Sequence, residues 1–129
     1  MRSILYLRGI LLLLSLGLLI VVGCGVQDPD NYNRQGVSLV NQGNTDEALK
    51  IFKKALKIDP NNRDAHYNLA ITYDKKGMFK EAIEEYRTVL ELYPYDPVTF
   101  YNIGVIYAKS NMQDAAILSW QKAIELKPD

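Results

Sequence analysis

The chain has 129 residues, enough for one small domain beside any targeting segment. Its 15 basic and 15 acidic residues cancel to a formal charge of zero, which argues against nucleic acid as a partner, because binding phosphates calls for clustered excess positive charge. The single cysteine excludes an internal disulfide, and with only one histidine, His66, it cannot build a zinc site.

The first predicted element is an apolar segment. Arg2 and Arg8 give a positive start, Gly9 to Val26 carries no charge, and the apolar heart from Ile10 to Val22 is 13 residues long. That is the layout of a secretory signal, since a spanning helix needs about 20 apolar residues. An uncleaved anchor that uses the whole uncharged stretch is the alternative reading. Val21-Val22-Gly23-Cys24 resembles the lipobox of bacterial lipoproteins. The resemblance implies a signal peptide over 1–23, cleavage before Cys24, and lipidation of the Cys24 thiol. Each buried CH₂ of an acyl chain contributes about 0.8 kcal/mol, and two or more chains make anchoring stable. Gly25, standing where an Asp would retain a lipoprotein in the inner membrane under the enteric sorting rule, slightly favours the outer membrane. The expected location is therefore the bacterial cell envelope, lipid-anchored and facing the periplasm. Cleavage leaves 13 basic against 15 acidic residues. Residues 24–31 then form a short tether.

The remainder repeats with a period of 34 residues. Gly36, Ala70 and Gly104 align as small residues, and Ala48, Ala82 and Ala116 as alanine throughout. Phe52, Tyr86 and Trp120 are aromatic, while Tyr32, His66 and Phe100 share a ring position. Gly43, Gly77 and Asn111 tolerate a left-handed backbone, and Pro60, Pro94 and Pro128 close each unit. Each unit predicts a helix pair. Helix A runs over Pro29–Gln42, Arg63–Lys76 and Pro97–Ser110, and helix B over Thr45–Ile58, Phe79–Leu92 and Met112–Lys127. The pattern resembles the tetratricopeptide repeat, with units at 29–62, 63–96 and 97–129. The resemblance implies an all-α fold: three tandem helix-turn-helix units in a right-handed superhelical solenoid. Gln35 departs from the family's leucine, and His66 from its aromatic residue.

No catalytic constellation is present and no cofactor is implied. Glu81, Glu84 and Glu85 read as a solvated face of one helix B, and His66 as packing within the repeat. Phosphate-binding glycine loops are absent. The predicted function is a protein- or peptide-binding adaptor, not an enzyme. Helical spacing turns Tyr32, Gln35, Gly36 and Leu39 toward helix B. It leaves Asn33, Arg34, Val37, Val40 and Asn41 on the open face of the first helix A. The equivalents are Tyr67, Asn68, Ile71, Asp74 and Lys75, then Tyr101, Asn102, Val105, Ala108 and Lys109. By resemblance, the amides of Asn68 and Asn102 would hold the backbone of a bound peptide in a groove formed with Asn33, Arg34, Tyr67, Ile71, Tyr101 and Val105. The family's carboxylate clamp is not reproduced: of Asn33, Val37, Asn68, Val98 and Asn102, which occupy its positions, only Asn68 agrees. Ile117, Leu118 and Ile124 read as an apolar association surface on the last helix. They suggest a self-associating homo-oligomer as the rival function.

Overall fold

The computed structural model describes residues 28–127, and within them the chain forms six helices and no strand. The signal segment and Cys24 lie outside the described residues. In chain order the helices are α1 (Pro29–Asn41), α2 (Thr45–Ile58), α3 (Arg63–Lys75), α4 (Phe79–Leu92), α5 (Pro97–Lys109) and α6 (Gln113–Leu126). The first helix of each pair ends one residue short of the sequence expectation. Gln42, Lys76 and Ser110 act as C-caps instead of continuing the helix. Likewise Met112 is the N-cap of α6 and Lys127 its C-cap.

Local chemistry sets these boundaries. Asp28, Asn62 and Asp96, spaced by the repeat period, each accept a backbone N–H in the first turn of the helix that follows. Pro29 and Pro97 then occupy the first helical turn, where no N–H is needed. At the other ends of α1 and α3, Gly43 and Gly77 take positive φ of 82° and 73°. Asn111 does the same after α5 at 58°. Each reversal closes with the same backbone bond: Asn44, Met78 and Met112 N–H donate to the carbonyls of Leu39, Tyr73 and Tyr107, all at 2.9 Å. This is the six-to-one closure that consumes an orphan carbonyl at a helix end.

Helices pair within units (α1 with α2, α3 with α4, α5 with α6), and successive units stack through α2 on α3 and α4 on α5. The α1 and α3 helices also meet directly. Ala48, Ala82 and Ala116 are fully buried and let the paired helices approach closely. In the first and third units the aromatic side chain of the second helix lies over the glycine of the first. A Cβ on Gly36 would sit 2.4 Å from Phe52 Cε1, and one on Gly104 would sit 2.4 Å from Trp120 Nε1. One continuous core results, running from Phe52 through Leu69, Tyr73 and Tyr86 to Ile103 and Ile106.

Some orientations differ from the sequence expectation. Gln35 is exposed instead of facing α2, while its equivalents Leu69 and Ile103 are buried in the core. That position faces the preceding unit, and among the described residues α1 has none before it. Val40, Tyr67 and Ile71, expected on the open face, pack against the core.

Candidate functional site

The faces of α1, α3 and α5 are tied together by bonds that reach from one unit to the next. Asn68 Nδ2 donates to Asn33 Oδ1 at 3.0 Å, and Asn102 Nδ2 donates to the Tyr67 hydroxyl at 2.8 Å. About two turns further along, Lys109 Nζ bonds both carboxylate oxygens of Asp74 at 2.8 and 2.7 Å. The partners in all three bridges stand 35 residues apart. The predicted groove residues Asn33, Tyr67, Asn68 and Asn102 are thus brought into one row. Asn68 and Asn102 each use one amide N–H within the protein, Asn33 uses its Oδ1, and all three keep further donor and acceptor capacity for a guest.

The remaining predicted groove residues divide. Ile71 and Val105 lie along the same helices, half-buried. Tyr101 is 56% exposed and offers its ring to solvent. The Tyr67 ring instead packs edge-on against Tyr86, with centroids 5.5 Å apart. Burial, together with the nearby Tyr67 and Asp74, holds the Tyr86 phenol above its ordinary range. Arg34 does not join the row; it reaches back to Asp28 at 3.5 Å.

Glu85 corrects the sequence reading. Glu85 is half-buried instead of solvated: its Oε2 lies 2.6 Å from His66 Nδ1, while His66 Nε2 lies 2.9 Å from the Pro60 carbonyl. The Glu85 bond raises the imidazole pKa most. Desolvation opposes that rise, and the Pro60 carbonyl and the charges of Glu85 and Asp59 reinforce it. Protonated, the ring donates from both nitrogens and stitches α3 to α4 and to the preceding turn. Glu84 is exposed, as expected.

A second tie went unread in the sequence. Arg63 Nη2 bonds Asp96 Oδ2 at 2.8 Å, and its guanidinium lies 5.9 Å from the Tyr67 ring centroid and 5.3 Å from that of Tyr93. Burial works against ionisation of Asp96, but the Thr99 hydroxyl and the Arg63 guanidinium outweigh it, so the carboxyl titrates below its usual value. The recurrence of Asp28, Asn62 and Asp96 was the available signal. Arg63 itself gave none, because the equivalent positions are Pro29 and Pro97. Among the described residues no group of three potential metal ligands converges. No described helix is long and apolar enough to cross a membrane. The association residues Ile117, Leu118 and Ile124 are all exposed on α6.

Stacked helix pairs of 34 residues, closed by left-handed reversals and packed aromatic over glycine, match tetratricopeptide repeat family models over residues 39–98 and 98–129. The chain is a tetratricopeptide repeat protein. Among solved tetratricopeptide structures it superposes on YrrB, described as having an unusual peptide-binding site, with a TM-score of 0.75 and 28% identity. That match covers 81% of this chain and 54% of YrrB. A MamA fragment from Desulfovibrio magneticus RS-1 gives a TM-score of 0.72 at 30% identity, covering 78% of this chain and 57% of the fragment. In sequence, the type IV pilus assembly protein PilF of Pseudomonas aeruginosa is 36% identical over a 72-residue alignment that covers 47% of this chain. The match spans only 29% of PilF, so this tetratricopeptide chain resembles a part of that protein. The fold is that of a protein-interaction scaffold.

Proposed function

We propose that the protein is an envelope-tethered adaptor, lipidated at Cys24, whose open helical face holds a protein or peptide partner while a larger complex is assembled. The observation that carries the binding reading is the row of amides and phenols on α1, α3 and α5. Asn68 and Asn102 stand at equivalent positions of successive units, pre-oriented by Asn33 and Tyr67. A guest backbone meets donors and acceptors whose rotamers are already restricted, which lowers the ordering cost of binding. The fold likeness to YrrB, a peptide-binding repeat protein, and the sequence likeness to part of PilF, a pilus assembly protein, both support this reading. The tether is supported by Val21-Val22-Gly23-Cys24 and the charge-free stretch before it.

Two measurements test the proposal. Mass spectrometry of the native protein should find a diacylated Cys24 at the amino terminus; residues 1–23 intact would sink the anchor. In cells, crosslinked partners should be recovered with the parent protein and lost with Asn68→Ala/Asn102→Ala, circular dichroism confirming that the variant stays helical. Unchanged recovery would remove the groove from the mechanism. The exposed Ile117, Leu118 and Ile124 favour the competing reading, a self-associating unit. Light scattering over a concentration series separates the two, because an adaptor of this design remains monomeric.

A further inference from the structure

Each unit presents a socket to the helix that follows it. In the second unit the socket comprises Tyr67, Tyr86, Val89 and Leu90, and α5 fills it. Tyr86 is 2% exposed and Val89 fully buried, Ile103 joins Tyr86 in the core, and Asn102 bonds the Tyr67 hydroxyl. A shift of 34 residues maps this socket onto Tyr101, Trp120, Ala123 and Ile124. With Val98 these residues line an apolar cleft of about 450 Å³ between α5 and α6. Val98, Tyr101 and Ile124 are 51%, 56% and 64% exposed, and no described residue covers them.

The filled sockets show what fits the open one. On the helix seated against the first unit Ala65, Leu69 and Tyr73 are buried and Asn68 bonds Asn33; on the helix seated against the second Thr99 and Ile103 are buried, Asn102 bonds Tyr67 and Tyr107 packs against the core. The common rule is a small residue, then Asn three positions on, an aliphatic residue next to it, and Tyr four positions later. At the same places α1 carries Asn31, Arg34, Gln35 and Leu39, so a second copy docking head-to-tail would press polar side chains into the cleft. The other three helices contain no asparagine, and neither do residues 1–27.

We propose that the cleft between α5 and α6 is a docking site for an amphipathic helix of a partner protein bearing this small-x-x-Asn-aliphatic-x-x-x-Tyr pattern. Its aliphatic residue seats against Trp120 and Ile124, and its asparagine bonds the Tyr101 hydroxyl as Asn102 bonds that of Tyr67. The site shares Tyr101 with the open face of α5 but uses neither Asn68 nor Asn102 of the amide row.

Trp120 is the only tryptophan in the chain and reports occupancy directly. The probe is a peptide with the sequence of α3 and its caps, Asn62–Lys76, held helical by a lactam between Lys75 and the side chain introduced by Ile71→Asp. Added to the full chain, it should shift Trp120 emission to the blue with saturation. A peptide that also carries Leu69→Asp should not. Ile124→Asp in the protein, at an exposed position that leaves the fold intact, should weaken the response by about tenfold or more, because a charge then lines the apolar cleft. Asn68→Ala/Asn102→Ala in the protein should leave it unchanged, which separates failure of this site from failure of the groove. The proposal is overturned if the helical peptide gives no shift or if the Leu69→Asp peptide matches it. It is overturned equally if emission moves to the blue with protein concentration alone, which would mark a second copy as the occupant.

Discussion

Substituting alanine for Gly36 tests how the aromatic and the small residue of a repeat are matched. The added Cβ would lie 2.4, 2.6 and 2.7 Å from three atoms of the Phe52 ring. Ordinary contact begins about 1 Å further out, and Phe52 is fully buried, so the ring cannot swing into solvent. Displacing it strains the core by about 3 kcal/mol, the upper end for one inserted methyl group. Alanine returns about 1 kcal/mol through helix propensity. The expected net loss is about 2 kcal/mol, which lowers Tm by about 10 °C for a domain of this size. Gly104→Ala makes the same collision on paper, 2.4 Å from Trp120 Nε1, but that ring is partly exposed and has an open cleft beside it. There the strain should relax until propensity roughly cancels it. Urea titration of both variants, read by circular dichroism, gives the comparison. A Gly36→Ala protein as stable as the parent, or a Gly104→Ala protein equally damaged, would refute the reasoning.

Gly77→Ala meets no atom within 4 Å but sits at φ 73°, so its cost of roughly 1–2 kcal/mol is purely one of backbone strain and should appear undiminished in thermal melts. The raised pKa of His66 means that protonation is favoured in the folded state. The stability this contributes, on the order of 1 kcal/mol, is complete below the unfolded value near 6.5 and disappears as pH rises through the higher folded value. Denaturation midpoints should therefore fall across that window in the parent, and the fall should flatten in Glu85→Gln, which removes the leading cause of the shift. A parent whose stability rises with pH there would contradict the assignment.

The period of 34 made the helices and the core legible, because small, aromatic and left-handed positions answer to constraints within one unit. Gly36 under Phe52 and Gly43 at its reversal are both readable from spacing alone. The errors fall where a residue answers to a partner outside its own helix. Gln35 looked inward on a helical wheel drawn for one hairpin, yet its position belongs to the junction with a preceding one. Likewise Glu85 looked solvated among its neighbours on α4 until the turn at Pro60 brought His66 against it. Of the candidate site, the residue identities on α1, α3 and α5 were legible, but their pairing was not. Asn33 with Asn68, and Tyr67 with Asn102, meet only because successive units stack with a particular offset, which no pattern within a unit encodes.

Those pairings carry a mechanical consequence. They act as struts between neighbouring hairpins, and their lengths help set how tightly the ribbon coils. An incoming chain that takes up the remaining N–H and Oδ1 of Asn68 or Asn102 would hold each strut in place. Loading the face and fixing the pitch of the array would then be a single event, and a mutation at Asn33 or Tyr67 would slacken the spring as well as remove a contact to the cargo.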